Sequence, residues 1–506
     1  MYDMFLEVYI NLCPKELFTI SVSQTWFTYM ARSIKEFNFS AIIYLLRKFR
    51  PSFIIHAPYF IKKIMEKNMD YDSFFKISYS YLDYFIYISL FLFFFLYILT
   101  RKLSINGLID PFTYTYTFTY STSYSVIIVL YGLGYISNLT FFIFFFYGVL
   151  FLLALNLFSH IKYTPLNIKI YNLFVIKKEK SFVISVIITY IILTSITIYL
   201  KGFSIFTDTN RFEDNRGLGP IVRILELASL TIVTLLSIIF YNKKKSMKKY
   251  IGYLFILLIM IFNAMISGAK ADLLFYIFSA IIGIKIFDGK FKLPIKYILF
   301  IFSISLIFAL ISLFYNFKIS LDHDASNIEI VESLFKRLTD RILSNGDMYY
   351  MGLPNDIYLR IETNNVLITF LSPVFSYSFM SSIIGYDVSQ LEIGKQFLLA
   401  HYPGRKIAGG PTDHIDFFSL LYFGPILGAI FIIFTSFILC FIRSLAKLTT
   451  NNITTSTLIA IFWMKSLSWL LKPGLIIGSI LYFILFIILI KFFIAVIETL
   501  KYQKIN

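Results

Sequence analysis

Arginines and histidines gather in two segments of an otherwise apolar chain. Arg211 and Arg216 lie in one, with Arg223 just beyond it. Arg337, Arg341, Arg360, His401, Arg405 and His414 lie in the other. A guanidinium is a planar fork that matches phosphate oxygens in pairs and stays charged at any working pH. Arg337 and Arg341 are one turn apart on a helical reading, so one face presents both, a spacing that can span a diphosphate. The same pair can also snorkel from an interfacial helix toward lipid headgroups. Arg211 and Arg216 flank Glu213 and Asp214, so local ion pairing competes with ligand binding there. Lys270 stands in a three-residue turn between apolar blocks, as a ligand group or as an interfacial anchor. His401 and His414 have the titration range for proton transfer near neutral pH. Asp413 and Asp416 flank His414 and can orient it, although each group is also an ordinary polar loop residue. Lys465, inside an apolar block, points to a bundle interior or pairs with a helix carbonyl.

The elements that must position these groups follow from composition. The chain has 506 residues, 58% hydrophobic and only 15% charged, where soluble domains carry about a quarter charged residues. The apolar residues come in blocks of roughly twenty, long enough for a ~30 Å hydrocarbon layer. Backbone groups in lipid must be satisfied internally, so the blocks are helices. Strict two-residue alternation is missing, which argues against an outer-membrane barrel. The expected architecture is an all-α polytopic membrane protein of about eleven transmembrane helices. The spans lie near 79–99, 114–136, 139–158, 181–200, 220–241, 250–267, 271–287, 296–315, 415–442, 453–471 and 475–498.

A net charge of +17 fits cytoplasmic basic loops better than nucleic-acid binding. Arg101 and Lys102, the lysines at 162–180, those at 243–249, those at 290–296, Arg443 and Lys447, and Lys501 and Lys504 occupy every second connection. The other connections then face outward. Residues 316–414 form the one long outward loop, well above ordinary connection length. It reads as an amphipathic helix near 328–344, a re-entrant or interfacial stretch at 366–384, and a Gly/Pro-rich exit at 401–412. The domain reading is therefore an N-terminal extension over 1–68, membrane helices over 69–315, the loop over 316–414, and the last helices over 415–506. The basic residues of 1–68 conflict with the charge rule, so that extension holds a missed crossing or lies outside the membrane fold. Asp3, Glu7 and Glu16 argue against a cleavable leader. Cys13 and Cys440 suggest no disulfide. HExxH, CxxC, GxSxG and the P-loop pattern are missing, so no metal or nucleotide cofactor is expected.

Several short motifs resemble the O-antigen polymerase (Wzy) family, the oligosaccharide repeat unit polymerases. They are Asn106-Gly-x-x-Asp110-Pro111 before the second span, the stretch Lys201-Gly202 to Arg216, and Ser267-Gly268-Ala269-Lys270-Ala271-Asp272. The fourth is Gly410-Pro411-Thr412-Asp413 leading to Tyr422-Phe423-Gly424-Pro425-Ile426-Leu427-Gly428. The likeness covers roughly 79–500 and departs at Lys270, where the family has arginine. It implies a metal-independent glycosyltransferase of GT-C-like fold in the bacterial inner membrane. Such an enzyme joins undecaprenyl-diphosphate-linked oligosaccharides on the periplasmic face, with membrane lipids and a chain-length regulator protein as partners and no nucleic acid. Arg211, Arg216, Lys270, Arg337, Arg341, Arg360 and Arg405 would then bind diphosphate or glycan, and His401, His414 or Asp413 would take the acceptor's proton. Related O-antigen ligases share this layout. A lipid-linked oligosaccharide flippase is the alternative from a different class, against which the long loop and missing internal repeat count.

Overall fold

A computed structural model describes residues 71–161, 163–202, 218–244, 246–267, 272–294, 327–404, 410–447 and 451–503, with 296, 303 and 307 besides. All of them belong to one unit, His56–Asn506. The 1–68 extension, almost all of the expected span at 296–315, and Arg211, Arg216, Lys270 and Arg405 lie outside the described residues.

Regular structure among the described residues is helical throughout. In chain order the α-helices are α1 (Tyr71–Ser80), α2 (Leu82–Thr100), α3 (Thr119–Gly132), α4 (Asn138–Ser159), α5 (Thr164–Phe174), α6 (Glu179–Lys201), α7 (Gly219–Asn242), α8 (Met247–Ser267) and α9 (Asp272–Phe287). After the undescribed stretch come α10 (Asn327–Leu343), α11 (Asp347–Gly352), α12 (Val366–Phe375), α13 (Tyr377–Ile384), α14 (Ile393–His401), α15 (Ile415–Ala446), α16 (Ile453–Leu467) and α17 (Ile476–Gln503). Among the described residues, seven helices are long and apolar enough to cross a membrane: α2, α4, α6, α7, α8, α15, and α17 with the turn before it. The chain is an all-α, multi-pass membrane protein by that measure. The expected spans at 114–136, 271–287 and 453–471 are present as shorter or interrupted helices.

Side-chain size and caps explain how these helices sit together. Two-thirds (67%) of the apolar window of α7 is buried, against 11% for α2, so α7 is central and α2 peripheral. α7 packs on α6, α9 and α16, while α4 lies along α15. Small residues permit close approach, as membrane packing requires. Gly283 faces Thr234 and Ile238, and Gly252 faces the Phe240 ring. Ser137 caps α4 by accepting from the Thr140 amide at 3.2 Å, and Asn452 caps α16 by accepting from Thr455 at 3.0 Å.

Two interruptions matter for function. A π-turn, Thr113–Phe118, precedes α3, an irregularity frequent at functional sites. α3 is rich in buried hydroxyls that bond back to their own helix, such as Thr122 Oγ1 to Thr119 O at 2.8 Å and Ser125 Oγ to Thr122 O at 2.6 Å. This lets a polar helix occupy the interior. α15 breaks at Gly424, where φ is 70° and the next residue is Pro425. Tyr147 donates to two carbonyls at the break, Gly424 O at 3.1 Å and Pro425 O at 2.9 Å.

The long loop is itself folded over its described residues, 327–404 and 410–414. α10 matches the expected amphipathic helix. The stretch at 366–384 is a helical hairpin, α12 and α13, broken at Ser376 with φ 83°. α12 packs on α17. Leu367, Phe375, Phe379 and Ile383 remain exposed, as lipid contact allows.

Candidate active site

Tyr116, Tyr120 and Tyr124 recur every fourth residue through the π-turn and α3, so they share a face. That face meets the start of α15. The Ile415 amide donates to the Tyr120 hydroxyl at 3.1 Å, and Tyr120 donates to Leu470 O at 2.6 Å. The His414 ring stacks on Tyr120 with centroids 5.0 Å apart. Two residues on, Asp416 accepts from the Tyr124 hydroxyl at 3.1 Å and from its neighbour Phe417 N at 2.8 Å. A carboxylate in the first turn of a helix also suits the helix dipole.

The loop supplies the third partner. Gly346, whose missing side chain admits Val126 and Ser123 of α3, brings α11 against the bundle. Tyr349 on α11 is fully buried, and its hydroxyl lies 2.8 Å from both Asp416 oxygens and 3.0 Å from His414 Nδ1. Ionised Asp416 can only accept, so Tyr349 donates to it and accepts from His414. His414 is therefore assigned the Nδ1–H tautomer, with Nε2 as a bare lone pair. Nε2 is buried and has no hydrogen-bond partner among the described residues. Burial lowers the imidazole from the ordinary histidine range to about 3, so the ring is neutral at physiological pH. Burial first, then the Asp416 charge, raises the Tyr349 hydroxyl and keeps it protonated.

A second polar layer adjoins the first. Lys472, in the turn before α17, pairs with Glu392 at 3.0 Å. Glu392 lies beside Tyr377, and against burial the Lys472 charge helps hold its carboxyl below the usual range. The Gly394 amide donates to Asp413 Oδ1 at 3.3 Å. Here the 410–413 segment crosses the start of α14 backbone to backbone, at Gly394 and Gly410. Burial raises Asp413 to about 7, the Glu392 charge adding to it and Lys472 opposing. Asp347 is likewise raised to about 7, by burial and then by Asp413. Lys395 is buried on the same α14 turn.

The geometry therefore joins His414 and Asp416 through Tyr349, and places Asp413 in the adjoining Lys472–Glu392 layer. His401 does something else: its Nε2 lies 2.9 Å from Met351 O and ties α14 to α11. Arg337, Arg341 and Arg360 are exposed, in contrast to the buried histidine. Arg223 stacks over Tyr482 at 5.4 Å. Lys465 pairs with Glu226 across α16 and α7. No group of acidic, histidine or cysteine side chains among the described residues is arranged to hold a metal.

No family model, curated protein or solved structure matches the chain. Sequence reasoning missed Tyr349, Glu392 and Lys472. Tyr349 lies 65 positions from His414, and no local pattern links them. Lys472 carried a signal, a lone cation in an outward turn. The fourfold tyrosine spacing of α3, amid hydroxyls, was another.

Proposed function

We propose that the chain is a membrane glycosyltransferase. It joins undecaprenyl-diphosphate-linked oligosaccharide repeat units into O-antigen or a similar surface polysaccharide, on the periplasmic face of a bacterial inner membrane. One observation carries this reading: His414 Nε2 is a bare, buried base whose ring is held by Tyr349, at the outward end of the bundle by the basic-loop topology. A general base must be fixed and unprotonated before it can take a hydroxyl proton. In the proposed reaction Nε2 takes the proton of an acceptor sugar hydroxyl. The oxygen bonds to the donor's anomeric carbon, and the diphosphate leaves with the electron pair of the broken C–O bond. His414 is fully buried, which keeps bulk water from competing for the proton.

Arg211, Arg216, Lys270, Arg337, Arg341, Arg360 and Arg405 remain the candidate set for the leaving diphosphate, where fixed positive charge stabilises developing negative charge. The same reading completes the membrane fold with four further crossings at 114–136, 271–287, 296–315 and 453–471, in a GT-C-like arrangement.

Deleting the gene in its host and separating the surface polysaccharide by gel tests the reading. A polymerase null leaves core carrying one repeat unit. Long chains retained on the lipid carrier indicate a ligase instead, and repeat units trapped on the cytoplasmic face indicate a flippase. Unchanged polysaccharide rejects all three.

A further inference from the structure

His414 is a poor place for a proton to stay. Its Nε2 can take one, but the ring is buried in aromatic surroundings, between Tyr120 at 5.0 Å and Tyr349 at 5.2 Å. Imidazolium loses its hydration there. The only hydrogen bond from the ring in the described structure leads through Nδ1 to Tyr349 and on to Asp416. Two hydroxyls from two elements bond Asp416, Tyr349 on α11 and Tyr124 on α3, and Tyr116, Tyr120 and Tyr147 lie within reach of its charge. Asp413 is the next carboxyl along the chain, and it sits in the Lys472–Glu392 layer. No arginine or lysine is hydrogen-bonded to Asp416 among the described residues. A carboxylate enclosed without a cation is a natural terminus for a proton.

Resting on the transfer reaction proposed above, we infer that Tyr349 relays the acceptor's proton from His414 to Asp416, which holds it while the glycosidic bond forms. The steps balance. Nε2 gains the hydroxyl proton, Nδ1 passes its own proton to the Tyr349 oxygen, and Tyr349 passes its original proton to Asp416. The histidine ends neutral with its proton on Nε2, Tyr349 ends as a phenol, and Asp416 ends as a neutral acid. The negative charge that began on Asp416 leaves with the diphosphate. No imidazolium persists. Tyr349 and Asp416 act through His414 and are positioning residues.

The test uses the full chain in proteoliposomes, with lipid-linked repeat units extracted from the host lacking this gene. Tyr349→Phe keeps the ring packing, and Asp416→Asn keeps an acceptor for Tyr349 while removing the proton store. Each is expected to lower the maximal rate about 100-fold, the scale of acid–base assistance, with the half-saturating donor concentration unchanged. The double variant is expected to be no slower than either single one, because both break one relay. Multiplying losses, or a wild-type maximal rate in either variant, overturns the relay. Nitrogen NMR of histidine-labelled wild-type protein, assigned with His414→Gln, supplies a readout independent of activity. The relay requires His414 as the Nδ1–H tautomer, and an Nε2–H tautomer contradicts it. Full activity in His414→Ala rejects the transfer site itself. Loss there, combined with intact Tyr349→Phe and Asp416→Asn, rejects the relay alone.

Discussion

The backbone crossing of Gly410 over Gly394 sets the height of Asp413 and His414, and a single methyl tests it. A Cβ on Gly394 would stand 2.9 Å from Pro411 C and 3.0 Å from Pro411 N, and closer still to the Pro411 carbonyl oxygen. A Cβ on Gly410 would lie 2.5 Å from Lys395 N and nearer yet to the Gly394 carbonyl. Ordinary contact begins near 3.4 Å, and all these atoms are backbone, so neither strand can yield by a rotamer change. Gly410→Ala must push the 410–413 segment off α14 by about 1 Å, which as overpacking costs roughly 1–3 kcal/mol. The activity loss should be larger than that destabilisation suggests, since a ~1 Å displacement of a reacting group can cost about 100-fold in rate. Thermal unfolding of the purified protein and the length of surface polymer measure the two effects separately. Gly134→Ala is the control. Gly134 has φ +79° but open space around it, so it incurs backbone strain of about 1–2 kcal/mol and should leave polymer length intact. Wild-type stability and polymer in Gly410→Ala would refute the crossing as the device that positions His414.

Three further outcomes follow, two from the same layer and one from α10. Asp413 is raised from 3.8 to about 7, so between those values the folded state holds a proton that the unfolded state has released; thermal stability should fall as pH rises from about 4 to about 7 and level off above it. Asp413→Asn should remove part of that slope, Asp347 retaining the rest. The Lys472 and Glu392 side chains are 36% and 24% exposed, so Glu392→Gln should cost about 1–2 kcal/mol by denaturation, between the values for exposed and buried pairs. A Lys472→Met, Glu392→Gln double variant should recover part of that loss. Alanine at Arg337 and Arg341 should shorten the polymer at normal membrane abundance if α10 grips the diphosphate; unchanged length would remove both from the binding set.

The membrane helices were legible because lipid imposes a length and an apolarity that any sequence must display. The seven long helices start and stop within a few residues of the apolar blocks. α10 was legible for a related reason, since Leu334, Phe335, Leu338 and Ile342 keep helical spacing. The stretch at 114–136 reads as a span from its sequence, but the π-turn at Thr113–Phe118 and the buried tyrosines around it do not. At the site, His414, Asp413 and Asp416 stood out because they cluster within a few residues after a Gly/Pro-rich loop exit. Tyr349 did not, because its role arises only when α11 docks on α3 through Gly346. The arginines drew attention by chemistry, but charge alone does not reveal which cations fold inward; Lys395 does, while Arg337 and Arg341 do not.

The central claim is that His414 is the base for transfer between lipid-linked sugars. Its most direct measurement compares wild-type and His414→Ala protein, purified and folded to the same unfolding temperature, in proteoliposomes containing undecaprenyl-diphosphate-linked repeat units from the polymer-null host. The account predicts a ladder of lengthening products for the wild type and, for His414→Ala, unextended repeat units with donor binding retained. A ladder of equal length and rate from His414→Ala would contradict it.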